Sequence, residues 1–465
     1  MKKNSSHEID MCSGPLFMKI VVFSLPLMLS GLLQLLYNAA DIIVVGRFAG
    51  PTALAAVGST GSLTNLIVSV FMGLSVGSSV AVAQYYGAGD YHHVSEVVHT
   101  SIATSLVASV IVSIFGITMA EKLLAAMGTP PDVLSQAALY LRIYFAGMPA
   151  SMLFNYGSSI LRAVGDTKRP LIYLTISGVL NVVLNLVFVI FFHMGVAGVA
   201  LATIISQALS AVLVVICLVQ FNGSVKLNIR SIRFHKDKLL QLIRIGLPAG
   251  LQGSIFSLSN VLIQSSVNSF GSSVMAGNSA AQNIEGFIYV AMNTIYHTAL
   301  TFTGQNVGAR EYKRVRRVFW ICSMLVTGIG LVMGFSALLG GQFLLGIYAP
   351  GNAEVIGYGL IRMSIICSTY FLCGLMDTFV GMLRGMGASL TPMLVSIIGV
   401  CGFRIAWVYT VFAQHRTLET LYYSYPVSWI VTAFIHLICY FIIIRRLELG
   451  KGRNLAGWKA KEKPA

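Results

Sequence analysis

The chain has 465 residues, 56% of them hydrophobic and only 10% charged, with 45 glycines and a formal net charge of +15. So apolar a composition excludes an ordinary soluble domain and makes the bilayer the solvent. The basic balance does not point to nucleic acid, because the Lys and Arg residues gather in alternate loops between apolar runs, which is how membrane proteins set their orientation.

Apolar runs recur at 16–46, 52–82, 94–120, 133–160, 169–193, 196–221, 239–267, 275–303, 315–346, 355–383, 391–413 and 420–444. Each approaches or exceeds the roughly 20 residues a helix needs to cross hydrocarbon, and none alternates with the period of two that marks a barrel strand. Twelve transmembrane helices are predicted. An ionisable or amide side chain inside such a run is costly and therefore a functional candidate. In the first span Gln34, Asn38 and Asp41 stand at i, i+4 and i+7 on one helical face, with Tyr37 beside them as a further cavity residue. A carboxyl among apolar neighbours favours its neutral form, so Asp41 is a candidate for binding and releasing a proton; the alternative is a carboxyl that only fixes helix packing.

The fifth span offers Asn181 and Asn185, one turn apart, and the sixth offers Thr203. With Asp41 their oxygens have the chemistry of a small hard-cation site, sodium being the metal in question, or of a hydrogen-bonded proton site. Interhelical amide bonding is an equal reading of the two asparagines. Pro26, Pro149 and Pro248 lie within spans where a bend leaves the fold intact. The basic stretch 226–244 reads either as an amphipathic surface helix or as a plain solvated connector.

In the second half Asn260 lies on the seventh span, and Gln282, Glu285, Tyr289, Asn293 and Tyr296 form a stripe on the eighth. Asp377 lies on the tenth. Glu285 and Asp377 with Gln282, Tyr289 and Asn260 make either a second coupling site or an acidic wall for cationic substrates; Gln34, Tyr37 and Asn293 complete the candidate cavity. Asp377 has a structural alternative, an ion pair with Arg362 or Arg404. Arg142 and Arg362 read as anchors snorkelling to the outer face. The seven cysteines show no paired metal spacing, and no phosphate-binding loop occurs, so no cofactor is expected and an ion gradient is the natural energy source. One elementary charge crossing 100 mV releases about 2.3 kcal/mol.

The two halves repeat. Gln84-Tyr-Tyr-Gly-Ala-Gly-Asp-Tyr91 returns as Gln305-Asn-Val-Gly-Ala-Arg-Glu-Tyr312, and Leu161-Arg162-x-x-Gly165-x-x-x-x-Pro170 returns as Leu383-Arg384-x-x-Gly387-x-x-x-x-Pro392. Leu25-Pro26 and Leu247-Pro248 obey nearly the same offset. Six spans per half is an even number, so both halves enter with the same orientation and a pseudo-twofold axis along the membrane normal is expected. The fold class is therefore an all-α polytopic membrane protein of twelve transmembrane helices in two six-helix bundles. Its parts are a cytoplasmic N-terminal segment at 1–15, an N-lobe at 16–221, a basic linker at 222–238, a C-lobe at 239–446 and a basic tail at 447–465. Loop charges place both termini on the cytoplasmic side.

This combination of twelve spans, the stripe ending at Asp41 and the paired Gly-Ala and Leu-Arg-x-x-Gly motifs resembles the multidrug and toxic compound extrusion (MATE) family over residues 15–445. The resemblance implies a pair of bundles exporting drugs in exchange for protons or sodium. It implies further that Asp41 is the coupling aspartate of the N-lobe, with Asn181 and Thr203 its associates. Asn185 departs from the pattern, since many members carry an aspartate there, and that favours protons. Asp377 resembles the span 10 aspartate of members that use C-lobe carboxylates, although span 7 here has no acid. Glu285 resembles a membrane-embedded glutamate of the bacterial drug-export branch.

The reading is a secondary active multidrug exporter working by alternating access. It is a cation-coupled antiporter, proton favoured over sodium, for cationic or amphipathic organic compounds, and not an enzyme. Its setting is the plasma membrane of a bacterial cell, with the lipid bilayer and small-molecule drugs as partners, no nucleic acid and no obligate protein partner. Two rivals stand beside it. A flippase of lipid-linked saccharides would need several cations in its cavity, whereas this interior reads as richer in carboxylates and amides. A membrane-embedded enzyme would need a catalytic pair, which only Glu285 and Asp377 could supply.

Overall fold

The computed structural model describes residues 8–450; residues 1–7 of the N-terminal segment and the tail from 451 lie outside the described residues. Helices dominate: α1 (Leu16–Val44), α2 (Pro51–Gly87), α3 (Tyr91–Ala126), α4 (Pro131–Ala146), α5 (Met148–Ala163), α6 (Lys168–Leu186), α7 (Gly195–Gln220), α8 (Lys236–Asn268), α9 (Ser272–Gly308), α10 (Tyr312–Leu339), α11 (Gly341–Tyr348), α12 (Ala353–Gly385), α13 (Leu390–Ser396), α14 (Phe403–Trp407) and α15 (Leu418–Glu448). No strand occurs among the described residues.

Among the described residues ten helical stretches are long and apolar enough to cross a membrane, and α4 with α5 makes one more, bent by 47° at Gly147 just before Pro149. The twelfth is α9, whose polar stripe keeps it out of the purely apolar set although it has the same 37 residues as α2. The eleventh span is assembled from α13, α14 and two π-helical pieces, Ile397–Gly402 and Val408–Phe412. π-helical turns also follow α1 at Val45–Ala49 and α6 at Val187–Phe191. Such turns cluster near functional positions, and the two here come directly after Asp41 and Asn185.

The repeat is visible in the backbone. Both α2 and α9 end in the Gly-Ala motif, and the turn that follows needs a left-handed residue: Gly89 at φ 70° in the first half, Arg310 at φ 59° in the second. The Leu-Arg-x-x-Gly motifs close with Gly165 at φ 96° and Gly387 at φ 87°, where only glycine is unstrained. Asp90 caps α3 by accepting from the His93 amide, and Asn352 caps α12 by accepting from Val355. Burial resists ionisation of Asp90, yet hydrogen bonds from the His93 ring and backbone hold its carboxyl below the usual range.

Contacts divide the chain into two compact units. One is built on Leu25–Gly250 with the segment up to Asp10; the other takes Met11–Ser24 and the chain from Leu251. The changeovers fall within α1 and α8, beside Pro26 and Pro248. The first unit packs α3, α4 and the adjoining ends of α1 and α7 around Val112, Leu141, Phe145 and Val199. In the second unit α9 and α12 approach so closely that a Cβ on Gly381 would lie 2.6 Å from the Tyr296 carbonyl, and one on Gly385 would lie 2.6 Å from that of Leu300.

The surface-helix reading of 226–244 is corrected. Between α7 and Lys236 the chain is irregular apart from a short 3-10 turn at Ile229–Ser231, capped by Asn228. Helix begins only at Lys236, because the stretch before it is held by side chains of α3: His99 Nε2 accepts from the Asn228 amide at 3.1 Å and Thr100 Oγ1 from that of His235 at 3.2 Å.

Candidate functional site

In the first unit α6 turns Gly178, Asn181 and Asn185 to one face by their i, i+3, i+7 spacing. That face meets α1. The ring of Tyr37 lies where a Cβ of Gly178 would stand, and its hydroxyl donates to the Thr175 carbonyl at 3.4 Å. One turn further on, Asn185 Nδ2 donates to Asp41 Oδ1. The same amide group lies 3.2 Å from Asn181 Oδ1, and Asn181 Nδ2 lies 3.5 Å from Thr203 Oγ1 on α7. Thr203 also bonds to Asp41. Asn185 is fully buried and Asn181 nearly so, whereas Asp41 keeps partial exposure.

Four of the five predicted N-lobe residues thus meet in one chain of hydrogen bonds. Asn38 does not join them. It stands three residues from Asp41, on the exposed side of α1, and Gln34 is exposed two turns away. Every group bonded to Asp41 is neutral. The oxygen of Asn185, in contrast, is buried without a hydrogen-bond partner, a condition that costs about 1–3 kcal/mol.

The second unit is built differently. Arg362 grips Glu285 with both forks of its guanidinium, Nε to Oε1 at 2.8 Å and Nη2 to Oε2 at 2.7 Å. Its remaining nitrogen donates to Asn278 Oδ1 at 2.9 Å, which also accepts from Tyr422 at 3.2 Å, and the amide of Asn278 reaches Gln264 at 3.0 Å. Arg362 is 3% exposed and Glu285 5%. Arg362 as a snorkelling anchor is therefore corrected: it is the buried counter-ion of Glu285, and this pairing takes it from Asp377. Its counterpart Arg142 is exposed and pairs with Glu121 at 2.8 Å.

Asp377 is partly exposed and bonded to the Tyr289 hydroxyl, which Asn293 approaches at 3.4 Å. Tyr296, the last member of the stripe, accepts from Arg384 at 2.6 Å, while Arg384 also donates to Gln252 at 2.8 Å. Gln282 and Asn260 are exposed and take no part in these bonds. Arg404 is buried over the Tyr425 ring at 4.1 Å and donates to Ser428, with no carboxylate in salt-bridge reach among the described residues. This unit buries Arg362, Arg384 and Arg404 alongside Glu285 and the amides Gln252, Asn278, Gln305 and Asn306, so cations stand among the carboxylates and amides expected of the interior. Sequence reasoning also missed Asn278 as a site residue, although it lies seven residues before Glu285 on the same face of α9.

The family model MatE matches residues 26–187 and 248–410, one copy in each half. The chain belongs to the MatE family. Among relatives of this MatE protein, the "Probable multidrug resistance protein YoeA" of Bacillus subtilis is 28% identical over 424 residues, covering 88% of this chain and 90% of its own. The "Multidrug export protein MepA" of Staphylococcus saprophyticus is 22% identical, covering 95% and 97%. A MOP superfamily transporter from Pyrococcus furiosus superposes with a TM-score of 0.90 at 24% identity, over 96% of this chain and all of that one. The Vibrio cholerae transporter VcmN superposes at 0.87 with 20% identity, over 93% and 98%. The fold is thus that of MATE transporters, twelve transmembrane helices in two bundles.

Proposed function

We propose that this MatE protein is a multidrug exporter of the cell membrane, driven by inward flow of protons through Asp41. Membership in the family, and similarity to proteins named for multidrug resistance and multidrug export, YoeA and MepA, support export of drugs. The observation that carries the coupling is the company of Asp41: one carboxylate, held by the neutral donors Asn185 and Thr203, beside an Asn185 oxygen with nothing to accept. Ionised Asp41 takes the amide N–H of Asn185. Once protonated it becomes a donor, and a half-turn of the Asn185 amide offers the orphaned oxygen to that proton. Uptake of a proton therefore gives the orphaned acceptor a partner, withdraws the Asn185 N–H from Asn181 and switches the α1–α6 contact, the differential interaction that alternating access requires. A sodium ion would find only one carboxylate in this group, Asp41, because position 185 carries an amide. Both termini are assigned to the cytoplasm by the loop charges, and cationic or amphipathic compounds are the substrate class.

The test is ethidium efflux from proteoliposomes under an imposed proton or sodium gradient. Proton-driven efflux that Asp41→Asn abolishes, with the variant normally folded, is the expected result. Sodium-driven efflux would overturn the coupling. The buried, carboxylate-free Arg404 favours a second reading, an anionic amphiphile such as a phosphate-bearing lipid, and absence of ethidium transport under both gradients would select it.

A further inference from the structure

The opening turns of α3 carry a cluster that takes no part in either hydrogen-bond array. The repeat isolates it: where the second half has Lys313, Arg314 and Arg317, the first has His92, His93 and Glu96. Three cations have given way to three groups of metal-ligand type, at i, i+1 and i+4 of a helix. Their ligand atoms lie within 4.8 Å of one another. His92 Nδ1 is 3.9 Å from Glu96 Oε1, and His93 Nε2 is 3.8 Å from Glu96 Oε2. Donors bound to one tetrahedral ion at about 2.0–2.1 Å sit about 3.4 Å apart, so small side-chain rotations close the set, and exposed His92 is free to make them.

The imidazoles are also oriented. Asp90 Oδ2 lies 2.6 Å from His93 Nδ1, which fixes the proton there and turns the Nε2 lone pair toward Glu96. A carboxylate behind a histidine is the arrangement that orients and strengthens a metal-binding imidazole. His235, just ahead of α8, contributes a third ring. Its Nε2 accepts from Arg233 Nε at 3.1 Å, and because a guanidinium only donates, that nitrogen is unprotonated. Its Nδ1 lies 3.2 Å from Thr100 Oγ1, and the Nε2 atom lies 3.9 Å from Glu96 Oε1. A cavity of ≈ 1120 Å³ bordered by His92, Glu96 and His235 opens the cluster to small solutes. Lys238 Nζ, 3.7 Å from Glu96 Oε2 and bonded to the Tyr85 hydroxyl at 2.9 Å, supplies the positive charge that Glu96 faces in this arrangement.

We propose that His92, His93 and Glu96 bind a divalent transition-metal ion of the zinc type, with His235 completing the shell when exposed Arg233 swings aside. Two or three imidazoles with one carboxylate match the ligand preference of zinc. The ion competes with Lys238 for Glu96 and fastens the start of α3 to the linker residue that leads into α8.

Purified full-length protein carrying a tag without histidine is titrated with Zn²⁺ against a chromogenic chelator, and with Co²⁺ followed by its visible absorption. The expected result is one Zn²⁺ per chain at micromolar affinity or tighter and a Co²⁺ spectrum of low coordination number. Affinity falls at least tenfold in the double variant His92→Ala/His93→Gln and in Glu96→Gln, falls less in His235→Ala, and is unchanged in His415→Ala. All variants are compared as monodisperse peaks in size exclusion, so a fold defect is distinguished from a lost ligand. Absence of stoichiometric binding, or binding that survives both the double variant and Glu96→Gln, would overturn the proposal.

Discussion

Each half of the chain carries a carboxylate on a long helix, Asp41 partly exposed and Glu285 buried, and the partners given to the two carboxylates differ in charge. Asp41 is held by an amide and a hydroxyl. Glu285 is clamped by a guanidinium that is itself buried and further bonded to Asn278. A carboxylate among neutral donors gains or loses a proton without stranding an opposite charge. One clamped to a buried arginine does not, because its neutralisation leaves the arginine unpaired in low dielectric. The two carboxylates are not repeat equivalents, since the offset that carries Leu25 to Leu247 sets Asp41 against Ile263 and Glu285 against Leu63; under the proposed function Asp41 is the group that changes charge, while Glu285 is locked down as architecture.

The sharpest way to break that contrast is to remove one member of the locked pair. Glu285→Gln, or Arg362→Met alone, should cost about 3–5 kcal/mol, the usual toll of stranding one partner of a buried ion pair. Thermal unfolding of the detergent-purified protein reads it. The double variant Glu285→Leu/Arg362→Met should recover most of the loss. A single variant as stable as the parent would mean that Glu285 is not locked. Asp41→Asn should leave unfolding nearly unchanged while removing coupled efflux, the opposite signature.

Next in size is an exchange at Asn185. Asn185→Asp sets a second carboxylate against Asp41 and supplies oxygens in place of the N–H. Two adjacent carboxylates repel unless they share a proton or a cation. Proton-driven efflux is expected to fall about tenfold, corresponding to about 1.4 kcal/mol, with sodium restoring part of it. Undiminished, sodium-independent efflux would remove Asn185 from the coupling scheme.

How much of this was readable beforehand divides along the same line. The twelve spans follow from apolar length. Asp41, Asn181, Asn185 and Thr203 announce themselves as polar residues in apolar helices, and the i, i+4 spacing of the asparagines puts both on the face that meets α1. The stripe on α9 was readable too, but its partner was not. Arg362 lies 77 positions from Glu285, and nothing local distinguishes an arginine that pairs inside the bundle from one that snorkels outward. The same limit hid Arg404, whose neighbours are the aromatic rings of α15. The linker misled for a different reason: side chains of α3 hold its backbone in an irregular path, a tertiary effect that charge and periodicity do not encode.

A finer test of the asymmetry lies at one position of the repeat. Gly381 in the second half corresponds to Ser159 in the first, offset by the same interval as the Leu-Arg motifs. Ser159 is buried with its hydroxyl bonded to the Tyr156 carbonyl at 2.8 Å, so the first half accommodates a side chain there. The second half does not: a Cβ on Gly381 meets the Tyr296 carbonyl at 2.6 Å and its ring at 3.1 Å. Tyr296 also holds Arg384, so pushing it away disturbs a bond as well as a contact. Gly381→Ser should therefore destabilise by about 1–3 kcal/mol, the range for overpacking a tight interior. Gly286→Ala, on the same α9 helix with nothing within 4 Å of the added methyl, should be neutral or slightly stabilising. Equal responses at the two sites would mean that the close approach of α9 and α12 is not what holds the second half's polar residues in register.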